Sequence, residues 1–358
     1  MPVGREWGDE SRPYLLVTPY AGGMRTFTKT DPARPYAIEI EALGLKWLAE
    51  AMPFGGTPIV PVLNSEPGRM TLVEVPNGRP TRHAAYQFGQ TLAVMHAAGA
   101  PTFGCPPPGW EGNGVIGRME LPLQQPPAGV SYQTDDPTSS GSAQPTGTAQ
   151  SSGTAQSSGS AQSPDTAHAA SADSSSTKGV DAAGRSWGQF FATDRILPCL
   201  PAALRNGSLS RNDAAVVEEV CDRLKAGDWD APQPWLVRGP VARIHGDLWS
   251  GNVLWARRED IEWAEPLPQN ATDGVVGVLI DPAAQGGHAE TDLAFLEVFG
   301  QSFLSDIYDG YNSMSPLAEG WEQRRRVHQL YLLALHAAIF GGSYGSETVQ
   351  TARQCLRL

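Results

Sequence analysis

Residues 245 to 255 read HGDLWSGNVLW and residues 275 to 283 read VVGVLIDPA; together these stretches hold the residue types that phosphoryl transfer demands. Such a reaction needs a carboxylate beside the acceptor hydroxyl to take its proton, and hard oxygen donors for Mg²⁺ on the nucleotide phosphates. Asp247 lies two residues after His245 and five before Asn252, and Asp281 closes an apolar run further on. The spacing H-x-D-x-x-x-x-N followed by a strand-terminal Asp supplies both requirements, with Asp247 as base and Asn252 and Asp281 as Mg²⁺ ligands. Leu248, Val253 and Leu254 are the rigid apolar neighbours that would hold these groups in place. Asp and Asn also cap backbone amides in ordinary turns. Three features together favour chemistry: Asn252 at that offset, a second Asp after a strand, and Asp292 on the next helix. His245 is expected to brace the loop rather than to transfer protons.

A cation for the nucleotide phosphates must come from elsewhere, as a Lys on a strand paired with a Glu on a helix. Lys29, in RTFTKT, is the first Lys of the chain, and the helix expected at about 36 to 51 offers Glu39 and Glu41. At 100° per residue Glu39 falls beside Lys46, whereas Glu41 falls among Ile38, Ala42, Leu45 and Leu48. Glu41 is therefore the expected partner of Lys29. A glycine-rich phosphate loop should precede Lys29, but AGG at 21 to 23 is too close to it and reads as a hairpin turn.

The elements that must position these groups follow from pattern. RTFTKT (25 to 30) and MTLVEVP (70 to 76) read as strands around the helix at 36 to 51, a small α+β unit. RSWGQFFATDRIL and SRNDAAVVEEVCDRLKAG read as helices, the second with Ser210 or Asn212 as N-cap and Gly227 as its stop. Strand segments then flank the polar loop, and apolar helices follow at about 290 to 299 and 321 to 340. Between Gln133 and Lys178 the chain turns to Ser, Gly, Ala, Thr and Gln, with GSAQ or GTAQ starting at 141, 147, 153 and 159. A hexapeptide β-helix needs an aliphatic residue in every turn to build its interior, and 134 to 177 has no Val, Ile, Leu, Met or aromatic residue, so this segment is expected to be a disordered insert. The organisation expected is thus an N-lobe over 1–77 with an irregular start, the beginning of a helical C-lobe over 78–132, the insert over 133–180, and the catalytic part of the C-lobe over 181–358.

Composition narrows the partners. The net charge is −12, and no basic cluster exceeds RRR at 324 to 326, which disfavours nucleic acid and anionic membranes. No apolar run approaches the ~18 residues that span a bilayer, and the N-terminus resembles neither a secretory signal nor a transit segment, so a cytoplasmic location is expected. Cys105, Cys199, Cys221 and Cys355 form no C-x-x-C, which argues against a zinc site or a disulfide framework.

With these residues assembled, the chain resembles the fructosamine kinase and ketosamine-3-kinase family, whose fold is the bilobal, α+β, protein-kinase-like fold of the aminoglycoside phosphotransferases. HGDLWSGNV (245 to 253), IDPA (280 to 283), ETDLAFLEVFG (290 to 300) and HQLYLLALHAAIFGGSY (328 to 344) carry the resemblance, with FGQTLAVMH (88 to 96) and WGQFFATDRIL (187 to 197) as weaker matches. The resemblance implies ATP and Mg²⁺ as cofactors. It also implies that LVEV, around Glu74 and Val75, contacts adenine, and that Asp292 braces the catalytic loop. The family phosphorylates the third-carbon hydroxyl of ketosamines, so glycated proteins or small ketosamines are the implied substrates, ribulosamines before fructosamines. Departures fall at AQGGHAETDLA, where Gln285 and Gly286 replace aromatics and Ala289 replaces an Arg, and these bear on acceptor choice. No Cys precedes Cys105, so the redox-active Cys that some members have in the phosphate loop is not carried over. Two other readings remain open: a small-molecule kinase of the aminoglycoside or choline kinase type, and a catalytically silent relative without the glycine-rich loop.

Overall fold

The computed structural model describes residues 16–19, 25–132, 179–264 and 274–358. Strands β1 (Leu16–Pro19), β2 (Arg25–Thr30), β3 (Val62–Glu66) and β4 (Arg69–Val73) form an antiparallel sheet in the order β1-β2-β4-β3. Helix α1 (Pro35–Ala49) lies between β2 and β3 in sequence and starts on a proline, whose fixed φ suits the first helical turn. Its Ile38, Ala42, Leu45 and Leu48 are buried with Met70 and Leu72 of β4 in one core. The strand expected over 70 to 76 is shorter than predicted: Val73 opposite Thr26 is its last pair, and Pro76 has no amide to extend the ladder. Strand β3 is an element the sequence reading did not anticipate. Pro19 lies opposite Arg25 in the antiparallel β1–β2 pair; AGG, expected to be a hairpin turn, lies outside the described residues.

Helix α2 (Arg82–Ala97), capped by the Thr81 hydroxyl accepting from Ala84 N, opens the helical part. After the small hairpin β5 (Gly114–Ile116) and β6 (Met119–Leu121) comes the low-complexity stretch, which lies outside the described residues up to position 178. The helix expected over 185 to 197 is present but irregular. A short α3 (Trp187–Phe190) passes into a π-helix over Phe191–Ile196, then a 3₁₀ turn at Leu197–Cys199 and α4 (Leu200–Arg205). Pro198 and Pro201 lack the amides that would continue one register. Helix α5 (Arg211–Ala226) is bounded by a Ser210/Asp213 capping box and by Gly227 in the left-handed region, which settles the N-cap as Ser210.

The candidate site residues lie beside the ends of short strands. β7 (Ala242–Ile244) leads into HGD, β8 (Val253–Arg257) leaves the loop, and β9 (Val275–Leu279) pairs antiparallel with β8 before IDPA. β10 (Gln285–Gly287) pairs with β7. Helices α6 (Ala289–Val298) and α8 (Trp321–Phe340) match the two expected apolar helices, whereas α7 (Leu304–Met314) and α9 (Ser343–Cys355) come in addition. Helix α7 packs very closely on α2: a Cβ on Gly89 would lie 2.0 Å from Ile307 O, and one on Gly310 would lie 1.9 Å from Tyr86 O. The sheet is joined to this part through backbone, since Leu279 N donates to Pro58 O (2.9 Å) and Val60 N to Leu279 O (3.1 Å).

Candidate active site

The polar loop is fixed from behind. Asp292, on the first turn of α6 and fully buried, accepts from His245 N at 2.7 Å and Gly246 N at 2.9 Å. His245 Nε2 donates to Ile280 O (2.9 Å), and its Nδ1 accepts from Asp247 N (3.2 Å), which sets a neutral tautomer. Burial lowers the His245 pKa and so keeps it neutral. Through these bonds His245 ties the segment that bears Asp247 to the one that leads into Asp281.

Gly246 has φ +79°, and a Cβ there would fall 2.2 Å from Ala283 O, so the chain can pass beside IDPA only as glycine. The two tryptophans of HGDLWSGNVLW are structural clamps on either side. The Trp249 ring covers Gly251, where a Cβ would come within 2.2 Å of it. The Trp255 ring packs edge-on against Phe88 with centroids 5.7 Å apart, while its backbone amide donates to Asn77 Oδ1 (2.9 Å) and its carbonyl accepts from Gly78 N (2.8 Å). The second clamp ties the segment after β4 to β8.

Held this way, the candidate residues converge. Asn252 Nδ2 donates to Asp247 O (2.8 Å), lies 3.3 Å from Asp247 Oδ2 and 3.4 Å from Asp281 O, and leaves its Oδ1 as the acceptor of the amide. Asp281 adopts φ +52°, a left-handed conformation uncommon for a residue with a Cβ and a feature that clusters at functional positions. Its side chain is 43% exposed, so it presents a carboxylate to the cleft.

Lys29 reaches the same place from β2, with Nζ 2.7 and 2.8 Å from the Glu41 oxygens and 3.2 Å from Asp281 Oδ1. Burial works against its ammonium, but Glu41 and Asp281 outweigh that and hold its pKa above the ordinary value. Glu39 is exposed, as the helical geometry required. Loss of surrounding water, with Asp281 adding to it, pushes the Asp247 carboxyl up to about 8. Glu74 and Val75 follow β4 on the segment leading to α2; Glu74 N donates to Arg25 O (3.0 Å) and its carboxylate pairs with Arg25 Nε (2.8 Å).

Two groups were not anticipated. His96, in the last turn of α2, lies 3.1 Å from Asp292 Oδ2 through Nε2 and 2.9 Å from the Tyr311 hydroxyl through Nδ1. A histidine within the apolar run LAVMHAA was the available signal; Tyr311 gave none, because α7 itself was not expected. The second group is a chain of rings leading away from the loop: Trp249 to Phe299 (5.9 Å), Phe299 to His336 (4.8 Å), and His336 to Tyr344 (5.0 Å).

Among the described residues, His288, Glu290 and His328 also place potential metal-ligating atoms within 4.8 Å of one another. They do not suit a cation. Arg324 pairs with both Glu290 oxygens (2.9 and 2.6 Å), and His288 Nδ1 accepts from Glu290 N, which leaves the proton of the neutral ring on Nε2.

A sheet with a Lys–Glu pair, a linking segment, and a helical part holding Asp, Asn and a second Asp at the ends of short strands define the protein-kinase-like fold. Streptococcus pneumoniae choline kinase LicA shares that fold at 11% identity and TM-score 0.51, over 98% of this chain and 92% of that one. The particular family is closer: the fructosamine kinase profile matches residues 168–358, and the chain belongs to that family. A Thermobifida fusca structure assigned as a fructosamine-3-kinase is 31% identical with TM-score 0.68, over 99% of this chain and 93% of that one. A Synechocystis protein assigned as a ketoamine kinase is 28% identical over 96% of this chain and 86% of its own length. For the YniA ketoamine kinase assignment of Escherichia coli the figure is 36% over 160 residues, 45% of this chain and 46% of that protein. No helix among the described residues is long and apolar enough to cross a membrane.

Proposed function

We propose that the chain transfers the terminal phosphoryl group of ATP to the third-carbon hydroxyl of a ketosamine, ribulosamines in preference to fructosamines, on proteins or on small amines. The observation that carries this reading is the meeting of Lys29 with Asp281, 3.2 Å apart, beside the Asp247–Asn252 contact. Asp247 takes the hydroxyl proton as the acceptor oxygen bonds to phosphorus and the bond to the leaving diphosphate breaks. Lys29, oriented by Glu41, binds the nucleotide phosphates, and Glu74 and Val75 face the adenine. The donor set suits Mg²⁺, because Asn252 Oδ1 and the partly exposed Asp281 carboxylate are hard oxygens. When bound there, the cation neutralises charge on the phosphate oxygens.

The rings from Trp249 to Tyr344 support a sugar-amine acceptor, since aromatic faces favour both the apolar face of a sugar and a substituted ammonium. Phosphate on the third carbon is a leaving group, so the product sheds the adduct from the amine; on a protein that outcome is deglycation and repair. Incubation with Mg-ATP and ribulosyl-lysine is expected to consume ATP, with Asp247→Asn slower by about 10² to 10⁴-fold, the range for loss of a general base. An Asp247→Asn variant as fast as the wild type would reject the assignment. A panel that turns over choline or an aminoglycoside, and no ketosamine, would move the acceptor class.

A further inference from the structure

Arg195 is a cation almost entirely inside the protein, with 2% of its surface exposed. Each of the other two buried arginines among the described residues has a carboxylate, Glu50 for Arg243 (3.0 Å) and Glu290 for Arg324 (2.6 Å). Arg195 hydrogen-bonds only to neutral acceptors, with the Asp194 carboxylate acting on its charge without a direct bond. Its Nη1 donates to Pro122 O and Asp194 O, both at 2.8 Å, its Nε donates to Gln285 Oε1 at 2.9 Å, and its Nη2 bonds to the same oxygen. The Phe190 ring covers it, 4.6 Å from the guanidinium carbon. Burying a charge on these terms is costly, and apolar side chains of similar volume often serve stability as well or better. What a guanidinium adds is a fixed fork of donors. It is aimed here from a π-helix, a rare geometry that recurs at functional positions.

The target is Gln285, itself 2% exposed and one of the positions where this chain departs from the family's aromatics. With Oε1 committed to Arg195, the amide must turn Nε2 the other way, where it donates to Ala283 O at 3.2 Å. It also lies against the catalytic loop, since a Cβ on Gly246 would come within 2.9 Å of Gln285 Nε2. Gln285 thus forms a wedge between the segment that follows Asp281 and the glycine that precedes Asp247. Its neighbour Gly286 leaves no room for a ring, because even a Cβ there would lie 2.1 Å from Thr102 O.

We infer that Arg195, acting through Gln285, is a positioning residue for phosphoryl transfer. The guanidinium decides which way the Gln285 amide faces, and the amide sets the spacing between the segments that bear Asp247 and Asp281. This rests on the assignment of those two carboxylates to the chemistry.

The test compares Gln285→Met, Arg195→Met, the double variant and Gln285→Glu with the wild type, by steady-state turnover of ribulosyl-lysine with Mg-ATP and by thermal melting. Gln285→Met is expected to lower kcat by about 10- to 100-fold, as small displacements near a reacting centre do, with KM for ATP nearly unchanged. The double variant should be no slower than Gln285→Met alone, because both substitutions remove one relay. Gln285→Glu gives Arg195 the directly hydrogen-bonded carboxylate it lacks, so it should melt no lower than the wild type; yet it removes the donor to Ala283 and should lower kcat. Wild-type kcat in folded Gln285→Glu, or losses in the double variant that multiply, would overturn the inference. If the Met variants fail to fold, Gln285→Glu decides alone. A wild-type chain that turns over no ketosamine overturns the functional reading and this inference with it, whereas an active wild type with an equally active Gln285→Glu overturns the inference only.

Discussion

His96 and Asp292 meet at 3.1 Å inside the protein, both fully buried, and their contact links the polar loop that bears Asp247 to the packed pair of helices α2 and α7. Asp292 already accepts the amides of His245 and Gly246, so the contact is completed by a proton on His96 Nε2. His96 Nδ1 is then an acceptor, and the Tyr311 hydroxyl donates to it; burial raises the Tyr311 pKa and keeps that proton on oxygen. The chain Tyr311 to His96 to Asp292 to the loop amides can form because Gly89 and Gly310 let α2 and α7 touch backbone to backbone. Tyr311→Phe strands one buried acceptor and is expected to cost about 1 to 3 kcal/mol in urea unfolding. Asp292→Ala strands two amides and an imidazole, so a loss of about 3 to 5 kcal/mol is expected, the range for breaking a buried pair. Unfolding of Tyr311→Phe at the wild-type urea concentration would contradict this account.

The histidines give the fold an acid-sensitive window. Burial lowers the pKa of His245, His328 and His336, and that of His288 to about 4. The unfolded chain takes up protons near pH 6.5, while the folded chain does not until lower pH. Between these limits the unfolded state binds more protons, so stability rises with pH across that interval and falls as pH drops through it. Glu290 acts in the same sense lower down. Burial works against its carboxylate, but the neighbouring imidazoles and Arg324 outweigh that and hold it at about 2, so its contribution is present above its unfolded pKa and is lost toward pH 2. The urea midpoint is expected to fall progressively from pH 7 to pH 5, and His288→Gln should flatten the slope. A midpoint constant over that interval would exclude the mechanism.

What the sequence disclosed of all this has a physical pattern. Asp247, Asn252, Asp281 and Asp292 were legible because a short polar loop between apolar strands fixes its residue offsets, whatever the rest of the fold does. Glu41 was distinguishable from Glu39 because helical periodicity alone puts one inward. Strand β3 was missed because its side chains are largely exposed and show no clean alternation, so it is held by pairing with β4 rather than by its own pattern. The π-helix was missed because Phe191–Ile196 is compatible with an ordinary helix locally, and the partner its Arg195 finds, Gln285, is 90 residues away in sequence. Long-range hydrogen bonds such as His96 with Asp292 leave no spacing to read.

Asp247 itself should destabilise the protein it serves. Removal from water, with Asp281 nearby, pushes its carboxyl up to about 8, far above the value near 4 of an unfolded chain. Over the intervening range the folded state binds the additional proton, so this group's contribution to stability is fully present below its unfolded pKa and is lost as pH rises through about 8. Asp247→Asn removes the charge but keeps the shape, and is therefore expected to melt higher than the wild type in the absence of Mg²⁺, with a larger difference at pH 9 than at pH 5. That is the sign expected where a site trades stability for function. Thermal melts of both proteins at the two pH values measure it, and a variant that melts lower than the wild type at pH 9 would show that the ionised carboxylate is stabilised by its surroundings instead.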